Sequence, residues 1–187
     1  MWALCRGAVD RGSKLKGGKV GGGLFLPVGL GLVVVDQITK FLVEGKMREV
    51  LEIPIFPGLF SLTRVHNTGV AFGMAQGNNL LTGLLALGIL IFAGWMAREW
   101  DWRKRWVQVV AGLVAGGAVG NLIDRMRVGY VIDFLDFHYG RWSWPAFNVA
   151  DAAISIGVGM LVLSWLAGQS PESKQIRDRV SAPNSKL

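Results

Sequence analysis

The chain has 187 residues, of which 51% are hydrophobic, and its formal net charge is +7. The mean hydropathy of +0.39 is too high for most soluble domains, and the length suits one compact unit. A basic balance often indicates nucleic-acid binding. Here the charges lie in short segments between apolar runs, so a membrane rather than a nucleic acid is the expected partner. The single cysteine, Cys5, excludes an intramolecular disulfide framework.

Four stretches are long and apolar enough to cross a membrane, which takes about 20 mostly apolar residues. They are Leu24–Val43, Leu80–Ala97, Trp106–Ile123 and Val149–Ala167. We therefore predict an all-α membrane protein with four transmembrane helices in one domain, residues 24–167. Residues 1–23 are predicted to form a basic, flexible cytoplasmic tail, and residues 168–187 a second flexible cytoplasmic tail.

Lysine and arginine are distributed unequally between the connections. The two tails and the 98–105 connection hold 13 of them, whereas the 44–79 and 124–147 connections hold six. Because cytoplasmic connections carry the positive excess, both termini are expected in the cytoplasm. In the first outer connection, apolar runs around Pro57-Gly58 predict a small extracytoplasmic β-hairpin or sheet. The second is rich in aromatic residues and is predicted to be an outer loop at the membrane surface.

Four ionisable residues lie near the outer ends of the predicted spans: Asp36, Lys40, Asp124 and Asp151. Such a group costs about 2.5–3.5 kcal/mol inside a membrane helix, so each is a functional hypothesis. Asp36 and Lys40 are four residues apart and share a helical face. For these two an internal ion pair that neutralises both charges is favoured over direct catalysis, although the pair can still orient a site.

Asp124 and Asp151 each follow an asparagine by three residues, Asn121 and Asn148. That spacing brings each amide near its carboxylate, and antiparallel spans bring both carboxylates to the same depth. Two facing carboxylates hold a single proton, so one can activate water while the other protonates the peptide carbonyl. For Asp151 alone, capping of the fourth helix by Asn148 or Asp151 is as compatible with the sequence. The matched pair of segments favours an aspartic protease.

Other chemistries fit less well. The sequence lacks H-E-x-x-H, and both histidines, His66 and His138, lie in outer connections, which disfavours a zinc or serine protease. Asp133 and Asp136 could join Asp124 around a hard cation, but loop carboxylates are usually solvated. A proton-coupled transporter could use the same carboxylates as a relay, although no inverted repeat is evident. A scaffolding protein would not need polar groups at matched depth.

Five segments, in order, resemble motifs of the lipoprotein signal peptidase family, also called signal peptidase II. They are Asp36–Lys40, Asn67–Gly73, Gly120–Arg125, Val131–Phe134 and Phe147–Ile154. The resemblance spans residues 24–167 and implies an endopeptidase of the bacterial cytoplasmic membrane that needs no metal or organic cofactor. Its implied substrates are prolipoproteins whose cysteine carries diacylglycerol, cut just before that cysteine.

The resemblance also implies roles for individual residues. Asp124 and Asp151 are the implied catalytic pair, near the extracytoplasmic surface. Eight further residues match motif positions that support or line the site: Asp36, Lys40, Asn67, Gly69, Asn121, Arg125, Asn148 and Ala150. The expected partners are the lipid-modified substrates and membrane lipids, and the protein is expected to be a monomer.

Overall fold

The computed structural model of the chain describes residues 23–69 and 79–168. The two predicted tails, residues 1–23 and 168–187, lie outside this described part except for Gly23 and Gly168. Their predicted flexibility therefore stays a prediction, as does the proposed boundary between tail and domain at each end.

Four helices follow the apolar stretches of the sequence. Their bounds are Phe25–Lys46 (α1), Asn79–Met96 (α2), Arg105–Arg127 (α3) and Val149–Gly168 (α4). Within the described residues, three of them, α1, α3 and α4, have the length and hydropathy of a membrane span. The chain is thus an integral membrane protein with several apolar helices. The second predicted span coincides with the 18-residue helix α2, and its crossing of the membrane stays a prediction.

Between the helices the chain forms one antiparallel sheet whose strand order equals the chain order. The strands are Glu52–Phe56 (β1), Phe60–Asn67 (β2), Val131–Tyr139 (β3) and Trp142–Ser143 (β4). The predicted hairpin around Pro57-Gly58 is confirmed, because β1 pairs with β2 directly across this turn. Gly58 has a φ of 78°, a backbone conformation that side chains other than glycine rarely adopt.

The second connection is part of the sheet and not the predicted loop, whereas its outer location stays a prediction. It forms β3 and β4, and β3 pairs with β2 along most of its length. Residues 131–134 are all buried, so both faces of this half of the strand are covered. A strand buried on both faces does not show the alternation that reveals a half-exposed strand. The aromatic residues then suggested an interfacial loop instead.

The sheet joins the helices through a small apolar cluster at the end of α1. Val43 and Met47 pack there against Ile132 and Phe134 of β3. Between the helices, by contrast, the buried side chains include many polar ones: Asp36, Lys40, Gln108, Asn121, Asp124 and Asn148. Large apolar side chains point outward instead, as expected for helices surrounded by lipid. The polar interior therefore marks the part of the molecule to examine for function.

Candidate active site

Lys40 lies at the centre of the polar interior and is completely buried. Its ammonium nitrogen lies 2.9 Å from Asp36 Oδ2 and 2.8 Å from Asp124 Oδ2. It also donates to Asn121 Oδ1 at 2.8 Å. The predicted Asp36–Lys40 ion pair is confirmed, and Asp124 joins it. An unpaired charge at this position would be strongly destabilising, so each member of the group depends on the others.

Asp36 connects α1 to the beginning of α4. Its Oδ1 accepts a hydrogen bond of 3.0 Å from the backbone N–H of Ala150. The first N–H groups of a helix have no partner inside the helix, and a carboxylate is favourable there. Since Ala150 directly precedes Asp151, this bond also fixes the backbone that carries Asp151.

Both carboxylate oxygens of Asp124 are occupied by protein donors. Oδ2 accepts from Lys40 and, at 3.3 Å, from the backbone N–H of Ile132, while Oδ1 accepts from Gln37 Nε2 at 3.0 Å. The side chain has no exposed surface. The Asn121 amide, which the sequence suggested near Asp124, donates instead across the helix pair to Asp151 Oδ1 at 2.7 Å.

Asn148 and Asp151 form a reciprocal cap at the start of α4. The backbone N–H of Asp151 donates to Asn148 Oδ1 at 2.9 Å, and the N–H of Asn148 donates to Asp151 Oδ2 at 3.3 Å. This arrangement is a capping box, so the alternative that Asn148 and Asp151 cap the fourth helix is correct. Capping does not exclude a second role, because Asp151 remains half-buried at the edge of the polar interior.

Asp133 was expected to be a solvated loop carboxylate, and this expectation is wrong. It lies in β3, is only 2% exposed, and accepts hydrogen bonds from Asn148 Nδ2 at 2.7 Å and Asn67 Nδ2 at 2.9 Å. Burial, followed by the charge of the neighbouring Asp151, raises the pKa of Asp133 to about 7. The sequence signal was present: an acid inside the apolar run Val131–Phe134.

One residue therefore contacts two carboxyl groups. The side-chain amide of Asn148 donates to Asp133, and its backbone N–H donates to Asp151.

The alternative of a hard cation bound by Asp124, Asp133 and Asp136 receives no support. Within residues 23–69 and 79–168, no cluster of three histidine, cysteine, aspartate or glutamate ligands is suited to a metal.

The last two predicted positions, Gly69 and Arg125, lie at the edge of the site. Arg125 Nη2 donates to the backbone oxygen of Gly69 at 2.8 Å, and the Gly69 N–H donates to Asn67 Oδ1 at 2.9 Å. Arg125 thus ties the end of α3 to the segment that carries Asn67. Every predicted site residue therefore belongs to one connected region, to which the structure adds Gln37 and Asp133.

Comparison with known proteins gives a consistent result. A sequence profile of signal peptidase (SPase) II matches residues 28–167. The lipoprotein signal peptidase of Symbiobacterium thermophilum is 47% identical over 133 residues, covering 70% of this chain and 86% of that protein. The one from Syntrophus aciditrophicus is 40% identical over 158 residues, covering 80% and 96%.

Solved structures agree with the sequence relatives. A bacterial membrane enzyme determined by the in meso method at 2.3 Å resolution matches with a TM-score of 0.71 and 29% identity, covering 79% of this chain and 90% of that one. A second, at 1.9 Å resolution, matches with a TM-score of 0.63 and 28% identity, covering 77% and 93%. By profile, relatives and fold together, the chain belongs to the signal peptidase II family of membrane proteases.

Proposed function

We propose that this protein is an intramembrane aspartic endopeptidase that removes the signal peptide from diacylglyceryl-modified prolipoproteins, cutting just before the lipidated cysteine. The substrate class follows from the family and from the relatives' common name. The observation that supports the chemistry is the contact of Asn148 with both Asp133 and Asp151. The charge of Asp151 also raises the pKa of Asp133, which supports two carboxyl groups whose ionisation is coupled.

The contacts favour Asp133, rather than Asp124, as the partner of Asp151. Asp124 forms an ion pair with Lys40 and accepts hydrogen bonds at both oxygens, so its charge is already compensated by protein donors. Asp133 accepts only from the two neutral amides of Asn67 and Asn148 in the described contacts. Its pKa of about 7, raised by burial and by the charge of Asp151, leaves it mostly protonated below neutral pH.

The proposed reaction uses the two carboxyl groups in turn. The Asp151 carboxylate takes a proton from water, whose oxygen attacks the carbonyl carbon of the scissile peptide, while Asp133 donates its proton to the carbonyl oxygen. The tetrahedral intermediate then collapses. Asp151 passes its proton to the leaving nitrogen as the carbon–nitrogen bond breaks, and Asp133 recovers a proton from the intermediate's hydroxyl.

Lys40 and its partners act as the support of this site. Asn121 accepts from Lys40 and donates to Asp151, so it links the buried ion pair to the reacting carboxylate. Such a network of neighbours fixes the reacting groups before substrate binds, and preorganised polar groups supply much of the rate enhancement in enzymes.

An apolar surface beginning at Asp133 suits a lipid-modified, apolar substrate. Alternation along β3 puts Leu135 and Phe137 on the same face of the sheet as Asp133. Phe137 contacts Phe60 with ring centroids 4.7 Å apart and Phe147 at 5.9 Å. We infer that the substrate chain lies along this face, while its acyl chains remain in the surrounding lipid.

We infer further that the active protein is a monomer, with both termini in the cytoplasm and the site near the extracytoplasmic surface. The distribution of lysine and arginine supports this topology. The proton-coupled transporter that the sequence left open receives no support, since the relatives are peptidases and the structural neighbours are membrane enzymes.

The test is a gel-shift cleavage assay on purified protein in detergent, with a diacylglyceryl-modified prolipoprotein and its unlipidated form. Wild type should cut only the lipidated substrate. Asp133→Asn and Asp151→Asn should each reduce the rate by about a thousandfold or more, because general acid–base steps contribute about 10²–10⁴-fold each. Size-exclusion profiles and melting temperatures show whether each variant is folded.

The Asp124→Asn variant decides between the two pairings. If Asp133 is the partner of Asp151, folded Asp124→Asn keeps measurable cleavage. Near wild-type cleavage by Asp133→Asn, together with a folded but inactive Asp124→Asn, would instead support the pairing expected from the sequence. No cleavage by folded wild type would contradict the proposed activity itself.

A further inference from the structure

His66 directly precedes Asn67, whose side-chain amide donates to Asp133. The His66 ring contacts two other parts of the fold. Its Nε2 lies 3.0 and 3.2 Å from the two carboxylate oxygens of Glu44 in the last turn of α1. The imidazole also stacks on Tyr130, just before β3, with ring centroids 4.0 Å apart and planes inclined by 21°. The mechanism above uses neither contact.

His66 and Asn67 are consecutive residues of β2, so their side chains point to opposite faces of the sheet. On one face His66 meets α1. On the other, Asn67 donates to Asp133 Oδ2 at 2.9 Å and accepts from the Gly69 N–H. Fixing the His66 side chain on α1 therefore fixes the backbone from which Asn67 reaches the active site.

We propose that Glu44 and His66 form a pH-dependent positioning clamp, in which protonation of His66 tightens the end of β2 on α1 and holds Asn67 on Asp133. The clamp rests on the proposed function, because its target is the Asp133 carboxyl. His66 contacts no reacting atom in this scheme and is a positioning residue.

The charges around His66 explain the dependence on pH. Glu44 is the acid that faces it from α1, and Arg64 of β2 competes for that acid, with Nη1 3.7 Å from the same Glu44 oxygen. Arg127, at the end of α3, acts on the neighbouring Tyr130. An imidazole changes charge between about pH 5 and 8. Charged His66 forms an ion pair with Glu44, whereas neutral His66 keeps a hydrogen bond to the carboxylate without the attraction of opposite charges, so that Arg64 competes better for Glu44.

The effect on the active site has a defined direction. Donation from Asn67 lowers the pKa of Asp133, because it stabilises the ionised form. When the clamp is absent this bond weakens, and Asp133 retains its proton to higher pH. Because Asn67 then holds the Asp133 side chain less firmly, removing His66 should lower kcat most under acidic conditions, where the clamp is formed in the wild type. The fall in rate that reports ionisation of Asp133 should move to higher pH.

The experiment measures kcat and KM for the full-length protein between about pH 5.5 and 8.5. His66→Ala should reduce kcat about fivefold near pH 6 but twofold or less near pH 8, as expected for a partly exposed ion pair. His66→Gln, which can donate to Glu44 but cannot become charged, should recover the rate near pH 8 and not near pH 6. His138→Gln changes the other histidine, on β3 beside Asp136, and should leave the profile unchanged.

Two results would overturn the clamp. One is a His66→Ala profile that superimposes on wild type, and the other is an equal loss at every pH, which indicates a structural role alone. Asp133→Asn is measured alongside to separate this proposal from the proposed function. If Asp133→Asn still cleaves, the assignment of Asp133 fails and the clamp fails with it. If it is inactive while the His66→Ala profile is unchanged, only the clamp fails.

Discussion

The ammonium nitrogen of Lys40 lies 2.8 Å from a carboxylate oxygen of Asp124, and neither side chain has any exposed surface. Removing one partner of a buried ion pair typically costs about 3–5 kcal/mol, because the other charge stays buried without compensation. Lys40→Met leaves Asp36 and Asp124 facing each other without a cation. We expect it to lower the free energy of unfolding by about that amount, measured by thermal melting in detergent.

The neighbouring Lys46 provides a matched control for Lys40. It lies in the last turn of the same helix but is exposed. Lys46→Met should change stability by at most about 0.5 kcal/mol. Asp124→Asn should be less harmful than Lys40→Met, because Lys40 keeps its pair with Asp36. A Lys40→Met protein that melts like wild type would show that the buried ion pairs do not stabilise the fold.

Asp133 makes stability depend on pH in an unusual direction. Its pKa is about 7 when folded, above the ordinary value of 3.8. Between these values the unfolded chain is ionised while the folded chain still holds the proton, so the folded state loses stability as pH rises from about 4 to 7. Above pH 7 the full cost applies, at most about 4 kcal/mol.

Asp133→Asn removes the cost of ionising this carboxyl. The variant should therefore melt at a higher temperature than wild type near pH 8, and the difference should shrink as the pH is lowered toward about 4. The measurement is a series of melting curves across this range. A constant difference at every pH would mean that Asp133 ionises as an exposed aspartate does.

Much of the fold was accessible from the sequence, because long apolar runs and a Pro-Gly turn are local signals. The helices α1, α3 and α4 and the β1–β2 hairpin were predicted within a few residues. The strand β3 was not, since burial of both its faces removed the alternation, and its pairing with β2 joins residues more than sixty positions apart. Long-range pairing leaves no local pattern.

Most residues of the candidate site, although not Gln37 or Asp133, could be named from the sequence, but their contacts could not. The spacing of Asp36 and Lys40 gave a correct ion pair, because both lie on one helix. The spacing of Asn121 and Asp124 suggested a contact within α3, whereas Asn121 reaches across to Asp151. The packing of the helices against the sheet determines which carboxylates form an ion pair with Lys40. It also determines that the Asp133 carboxyl, in β3, is the one that keeps its proton. One sequence does not contain that information in any short segment.

The proposed topology can be tested with two exposed positions that it predicts on opposite sides of the membrane. In a Cys5→Ser background, Tyr139→Cys lies at the end of β3, where the native side chain is 75% exposed. Arg103→Cys lies between α2 and α3, and its native side chain is 89% exposed. A membrane-impermeant maleimide should label Tyr139→Cys in intact spheroplasts and Arg103→Cys only after permeabilisation. The reverse pattern would invert the topology, and labelling of both positions would contradict the crossing by α3, which lies between them.

Close approach of α3 to α4 depends on Gly117. A Cβ atom at this position would lie 2.5 Å from the backbone oxygen of Ala150 and 2.8 Å from a side-chain carbon of Ile154. Because the Ala150 backbone carries Asp151, the two helices cannot separate without moving the proposed catalytic carboxylate. Gly117→Ala should therefore destabilise the protein by about 1–3 kcal/mol and reduce cleavage at least tenfold.

Gly159 is the matched control, since it lies on α4 and a Cβ there would meet nothing within 4 Å. Gly159→Ala should be neutral or stabilising by up to about 1 kcal/mol, because alanine favours the helix. Melting temperature and kcat are measured for both variants. If Gly117→Ala keeps full activity, the spacing between α3 and α4 does not set the position of Asp151. If both variants lose activity equally, the loss comes from methyl groups added anywhere along the helices and not from this contact.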